Sequence, residues 1–298
     1  MPAPIAPSPA PWPALTAARL QQVPRVPFLI ADGAHLRPAG SVAVAHVPAL
    51  QRWPDALQLD SRGVVLMLPA AERSRFFTVA NATLHVAKLI TGWRHETFGV
   101  FALDDGRPLA TLERAASRFW GTATFGAHCN GYVADATGRP SHLWVARRAL
   151  SKPTDPGLLD NLIGGGVPHG QSPCAAVVRE GWEEAGLQPA QMAGLVAGRR
   201  FLVARDLPEG FQREWVSVFD LALPAGLTPV NQDGEVASLT LMPVAEALAQ
   251  AAAGAMTVDA ALVTLDFALR HGLLPADQHA QLDAAMQPLW AGVAVLEH

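Results

Sequence analysis

The spacing of apolar and polar positions changes character near residue 126. Downstream, His128 to Val133 and Ser141 to Arg147 alternate with period two. Together with the intervening turn Ala134 to Gly138, that alternation predicts two strands joined as a hairpin. A stretch rich in proline and glycine, Ser151 to Gly170, reads as a loop, followed by a helix over Pro173 to Ala185 and strands near Leu195 to Arg205 and Glu214 to Leu223. Val258, Leu262, Leu265 and Leu269 recur at helical spacing, with Thr257 placed to cap that helix and Gly272 to stop it. Upstream the pattern is mixed: a helix over Pro13 to Gln22, a short apolar run at Ser61 to Leu68, and a helix over Ala71 to Ile90. No internal repeat is visible. The change of texture divides the chain into a proline-rich, disordered lead-in at 1–14, an N-terminal domain at 15–125 and a second domain at 126–298.

Composition narrows the class of protein. The chain has 298 residues, half of them apolar and 16% charged, enough for two cores at a typical domain size of about 150 residues. No unbroken apolar run reaches the length of about 18 that a membrane-spanning helix needs, so no membrane partner is expected. Basic residues number 22 against 26 acidic, a net charge of −4, which leaves no broad basic field for nucleic acid. Cys129 and Cys174 are the only cysteines, too few for a disulfide framework or a four-ligand zinc site, and they point to a reducing, cytoplasmic setting. The N-terminus has six prolines in its first thirteen residues and no secretory pattern. Only two lysines, Lys88 and Lys152, stand among the basic residues, which gives each more weight as a candidate.

The chemically informative stretch runs from Gly164 to Leu187. Three glycines lead into a helix with both ends encoded: Ser172 suits the N-cap, Pro173 the first helical position and Gly186 the left-handed C-terminal cap. Glu180, Glu183 and Glu184 fall on one face through i, i+3 and i+4 spacing, where like charges cost a few tenths of a kcal/mol per pair. They also lie toward the helix C-terminus, where the macrodipole disfavours anions. A hard divalent cation, Mg2+ or Mn2+, would offset that repulsion and bridge the carboxylates to phosphate oxygens. A solvated acidic face is the plainer reading of three glutamates. Arg179 can pair with Glu183 four residues on.

These residues resemble the box of the Nudix hydrolases, G-x5-E-x7-R-E-U-x-E-E-x-G-U with U bulky and apolar. Gly165, Arg179, Glu180, Glu183, Glu184, Gly186 and Leu187 match in register. Gln171 stands where a Glu is expected, and Gly181 stands where a bulky residue is expected, at a cost near 1 kcal/mol relative to Ala in a helix interior. Flanking segments, among them Trp93 to Glu96, Gly126 to Tyr132, Leu143 to Arg148, Lys152 to Gly157, Leu159 to Asn161, Asn231 to Val236 and Asp266 to Gly272, look like the Nudix proteins of plants and yeasts, which are fused to thiamine pyrophosphokinase in some fungi. That likeness spans roughly residues 15 to 275, and members of the group lack the first Glu of the box as well.

The resemblance implies an α+β fold, a Nudix α/β/α sandwich with a mixed sheet, preceded by a smaller N-terminal α/β domain and closed by C-terminal helices. It implies a magnesium-dependent diphosphatase that takes thiamine diphosphate, above all its oxidised analogues, to the monophosphate. Metal would be held by Glu180, Glu183, Glu184 and the Gly165 carbonyl, with Arg179 orienting the carboxylates. Glu235 is a further ligand, a base for the attacking water, or simply part of an Asp-Gly turn. Lys152, His169, and His128 with Asn130 on one strand are candidates for substrate contacts, and Trp93 for stacking; solvated or core roles are the alternatives for each. Cys174 reads as packing. Two other functions stay open: hydrolysis of another nucleoside diphosphate derivative such as ADP-ribose, and a Nudix-like sensor that binds without cleaving. The expected partner is a small diphosphate, with a homodimer among the open assembly states.

Overall fold

Strand propensity and turn residues set up the N-terminal region, which is built around a four-stranded sheet. In the computed structural model, which describes residues 12–290, helix α1 (Pro13–Ala17) is followed by β1 (Arg25–Asp32) and β2 (His35–Ala43). A 3-10 turn at Val44–His46 and α2 (Val47–Leu50) then lead to β3 (Leu57–Asp60) and β4 (Gly63–Leu66). The sheet order is β2-β1-β4-β3. Helix α3 (Ala70–Val86), a hairpin of β5 (Thr97–Phe101) and β6 (Pro108–Glu113), and α4 (Ala116–Trp120) complete the unit. Its core gathers Phe28, Phe77, Phe98, Phe119 and Trp120, and the Trp120 indole N–H donates to the Asn81 side chain at 2.8 Å.

The second region is a seven-stranded mixed sheet with helices on both faces. Strands β7 (Thr124–Ala134) and β8 (Pro140–Arg148) form the expected hairpin, the turn being held by the Asp135 carboxylate, which accepts from the Thr137 and Arg139 backbone N–H groups. They are followed by β9 (Leu159–Asp160), β10 (Ile163–Gly166), helix α5 (Pro173–Ala185), a 3-10 turn at Pro189–Met192, β11 (Val196–Leu207), β12 (Gly210–Ala222) and β13 (Val236–Pro243). The path is β11-β12-β7-β8-β13, with β10 on β7 and β9 on β8; β12 and β7 run parallel. Helices α6 (Val244–Ala252), α7 (Val258–Arg270) and α8 (Ala276–Trp290) close the chain.

Side-chain alternation assigns the two faces. On β12, Val216 and Val218 join the core beneath α7, while Phe219 and Leu221 join the core beneath α5. The result is an α/β/α sandwich. Ten successive residues of α7, Ala260 to Leu269, are buried, which is why its apolar run carries no polar face.

Three local expectations change. The first helix ends at Ala17 rather than near Gln22, because residues 18–23 are drawn onto β11: the Ala204 and Asp206 N–H groups donate to the Ala18 and Leu20 carbonyls, and the Asp206 carboxylate accepts from Gln22 and Val23. The long N-terminal helix stops at Val86 rather than Ile90, with Lys88 in the left-handed region. The lead-in lies outside the described residues for 1–11, but Trp12 packs on the core and α1 begins at Pro13, so 12–14 are ordered structure.

Candidate active site

Helix α5 carries the acidic residues because both of its ends are fixed where the sequence says. The Ser172 hydroxyl accepts from the Ala175 N–H at 3.2 Å, Pro173 opens the helix, and Gly186 closes it at φ +66°. Ala176, Val177 and Ala185 are buried against the sheet. The stretch Gly164 to Gly166, expected as loop, is strand β10, paired antiparallel with β7 so that Gly164 lies opposite His128 and Gly165 opposite Ala127. Glycine is required here by close approach. A Cβ on Gly165 would run into the Glu180 carboxyl group, and one on Gly164 would meet the His128 ring at 2.8 Å.

The three carboxylates are held individually. Arg179 forks between Glu180, at 2.7 Å, and Glu183, at 2.8 Å. The Gly164 backbone N–H donates to Glu184 Oε2 at 2.8 Å, tying the helix to β10. Burial, reinforced by the neighbouring Glu180 charge, pushes the Glu184 carboxyl well above its ordinary range. Burial also raises Glu180, against the pull of Arg179. On Arg179 itself burial lowers the pKa, yet Glu180 and Glu183 outweigh it and the guanidinium is raised.

Among the described residues, no three His, Cys, Asp or Glu side chains converge as they stand on one ligating point, since Arg179 occupies the space between two of the acids. The donor set nevertheless fits a hard cation: three carboxylates, two of them desolvated, close against a glycine strand that offers no side chain in the way.

Glu180, Glu183 and Arg179 line a charged cleft with a cavity volume of about 180 Å3. The cleft also includes Arg148, paired with Asp160 at 2.8 Å, and Lys152, whose ammonium meets the Glu235 carboxylate. Burial, then the Arg148 charge, lowers the Lys152 pKa. The N-terminal region supplies Arg94, Glu96, Arg114 and Arg118 to the same cleft. Arg114 pairs with Glu96 at 3.0 Å and lies over the Phe98 ring. A second cavity of about 280 Å3 adjoins it, sharing Arg94, Arg114, Arg118, Thr154, Gln212 and Glu214, and adds Phe98, Phe211 and Arg213.

Of the residues singled out in the sequence, Glu180, Glu183, Gly165, Arg179, Glu235, Lys152 and His128 line the cleft. Glu184 is only 6% exposed and sits behind it with Lys152, Asp160 and Glu235. Asn130 and Tyr132 share a face of β7 with His128, as alternation requires, but α7 covers that face further along. Asn130 donates to Asp220 and to the Val263 carbonyl, and Tyr132 packs on Phe267 and His271. Only His128, bonded to the Asn161 side chain at 3.0 Å, reaches the cleft.

Trp93 is also corrected: it packs on the N-terminal core with His85 at 4.8 Å and lines neither cavity. His169 lies in a separate, largely apolar cavity of about 380 Å3 with Phe101, Phe125 and Gln171. Cys174 is exposed rather than packed. Asp160, Arg148 and the N-terminal arginines escaped chemical reasoning. Their signal was present only as charged residues inside short loops and strand ends.

Gln171 is exposed and lines a different cavity from Arg179, whose two acid partners are already on α5. Gln171→Glu should therefore leave kcat/KM within about threefold, roughly 0.6 kcal/mol of barrier. A loss as large as that from altering an α5 glutamate, measured side by side, would give Gln171 a direct role.

A mixed sheet sandwiched by helices thus carries a glycine strand set against a capped acidic helix. Residues 124–262 match the family description "NUDIX domain". Residues 15–124 match "Domain of unknown function (DUF4743)".

The chain is similar to Nudix hydrolase 20, chloroplastic, of Arabidopsis thaliana, 37% identical over 65% of this chain and 52% of that protein. It is likewise similar to Nudix hydrolase 24, chloroplastic, of the same plant, 36% identical over 68% and 57%. It thus spans about half the length of the curated relatives it matches. A crystal structure from Deinococcus radiodurans is 21% identical over 56% of this chain and 97% of that one, with a TM-score of 0.44. Among the described residues no helix is long and apolar enough to cross a membrane.

Proposed function

We propose that the chain hydrolyses a diphosphate linkage in the cleft between α5 and the N-terminal arginines. The observation that carries this reading is the placement of Glu180, Glu183 and Glu184 against the glycine strand, with Glu180 and Glu183 lining a cleft that further acids share with six arginines and Lys152. Acids alone would repel a diphosphate, and arginines alone would bind it without activating water. Glu180, Glu183, Glu184 and the Gly165 carbonyl would hold Mg2+ or Mn2+. When bound, the cation supplies neutralisation of the charge that builds on the phosphoryl oxygens. Arg179 holds Glu183 and Glu180 in position, and the Gly164 N–H does the same for Glu184. Glu180, desolvated at the mouth of the cleft, accepts the proton of the attacking water. Glu235 serves to orient Lys152, whose ammonium meets diphosphate oxygens as a point charge.

Within that class we favour oxidised analogues of thiamine diphosphate, cleaved to the monophosphate. The likeness of about two thirds of the chain to two plant Nudix hydrolases supports a hydrolase, and the adjoining cavity supports the choice of ring. Four arginines, Arg94, Arg114, Arg118 and Arg213, line it against two glutamates, one of which, Glu209, is paired with Arg118. A cationic thiazolium is repelled there, whereas a neutral oxidised ring packs on Phe98 and Phe211 without charge penalty. Oxidised thiamine diphosphates should accordingly be turned over with kcat/KM at least about tenfold above thiamine diphosphate and above ADP-ribose, a difference near 1.4 kcal/mol. Parallel kinetics with chromatographic separation of the products decide it, because ADP-ribose yields two monophosphates and no free phosphate. A preference for ADP-ribose removes the thiamine reading and leaves the cleft chemistry intact.

A further inference from the structure

Among the arginines of the cleft, Arg94 stands apart. Arg114 pairs with Glu96, Arg118 with Glu209, Arg148 with Asp160, Arg179 with Glu180 and Glu183, and Arg205 with Asp155. Arg94 lines both the cleft and the adjoining cavity, yet among the described residues no acid or carbonyl pairs with its guanidinium. Its backbone is nonetheless fixed: the Arg94 N–H donates to Glu113 at 2.8 Å, the Arg114 N–H donates to the Glu96 carbonyl at 2.9 Å, and His95 between them takes a left-handed conformation at φ +61°. Burial, with Arg114 and Arg118 adding like charge, lowers the Arg94 pKa. Glu96, already bonded to Arg114, offsets only part of this; a half-buried cation held among cations without a bonded carboxylate costs free energy in the free protein, and an incoming anion recovers it.

We propose that Arg94 is a phosphoryl-binding residue, gripping the substrate diphosphate at the junction of the cleft and the adjoining cavity, so that the N-terminal domain completes the site carried by the Nudix domain. The planar guanidinium fork matches a pair of phosphoryl oxygens and stays charged at any working pH. Arg94 lines the same cleft as Glu180 and Glu183, so one diphosphate can meet both the guanidinium and a cation held by those carboxylates. The inference rests on the diphosphate reading above and adds to it a residue from outside the Nudix segment.

The test uses the full chain stripped of metal and titrated calorimetrically with methylenediphosphonate, a non-hydrolysable diphosphate, so that it reads binding rather than turnover. Wild type should bind, Arg94→Gln should bind at least about tenfold more weakly, and Arg94→Lys should fall between, keeping the charge and losing the fork. Arg62→Gln, at a surface residue that lines neither cavity, should match wild type, and malonate should bind too weakly to measure. Unchanged affinity in Arg94→Gln, or equal losses in Arg94→Gln and Arg62→Gln, overturns the proposal. So does a wild type that fails to bind at about 1 mM ligand. Unchanged melting temperatures exclude a folding defect. Absence of turnover on every diphosphate, with Arg94-dependent binding intact, would instead remove the hydrolase reading and keep this site.

Discussion

Replacing Glu184 by glutamine should cut turnover of a diphosphate substrate at least about 100-fold, near 2.7 kcal/mol of barrier, in Mg2+ or Mn2+. The substitution isolates charge from structure. Gln offers the same carbonyl oxygen to the Gly164 N–H, whose 2.8 Å bond ties α5 to β10, so the helix and the strand stay in register. What disappears is an anion that burial and the neighbouring Glu180 make costly to keep in the folded protein. Removing it should leave stability equal to or higher than wild type, while metal affinity and rate fall together. Calorimetric Mn2+ binding, the melting temperature and kcat/KM on the same preparations separate the two effects. A rate loss below about tenfold with metal binding retained would take Glu184 out of the site.

Installing the bulky residue that the Nudix box carries at position 181 should harm this protein. Glycine in a helix interior costs about 1 kcal/mol relative to alanine, so sequence reasoning marks Gly181 as a defect. The structure shows what fills the space: a Cβ there would stand 2.5 Å from the Met192 sulfur and 3.2 Å from the Ile163 terminal methyl. Met192, 2% exposed on the 3-10 turn after α5, occupies the volume of the missing side chain. Gly181→Ala should be nearly neutral, the helix gain offsetting a shift of the flexible thioether. Gly181→Leu should cost about 2 kcal/mol by overpacking, and Met192→Ala alone about 2 to 4 kcal/mol through the cavity it leaves. The double variant should be more stable than the two losses added together. Denaturant unfolding of the four proteins measures the cycle, and strict additivity would show that the two side chains do not compete for one space.

Where local chemistry decides, the sequence is explicit. Helix α5 begins and ends at Pro173 and Ala185 as read from Ser172, Pro173 and Gly186, because a cap is a contact within one turn of the chain. Thr257 caps α7 through the Ala260 N–H for the same reason, and the hairpin of β7 and β8 follows from period-two alternation around a turn with its own Asp. The spacing of Glu180, Glu183 and Glu184, and the pairing of Arg179 with Glu183, are likewise properties of a 3.6-residue repeat.

The tertiary structure decided what those elements face. Alternation puts His128, Asn130 and Tyr132 on one side of β7, but only the crossing of α7 determines that Asn130 and Tyr132 are covered while His128 looks into the cleft. The glycines read as loop became a strand because β7 offers a free edge, a long-range pairing that no local pattern announces. Trp93 was the conspicuous residue of its segment and went to the core, where an aromatic buries most area. Its neighbour Arg94 reached the cleft, because a left-handed residue and two backbone bonds to distant acids and carbonyls turn the loop there. Caps and periods are settled by groups a few residues apart, so a single sequence displays them. The walls of the cleft are settled by strand register and by side chains meeting from positions 50 to 100 residues apart, and the sequence holds that information only through the fold.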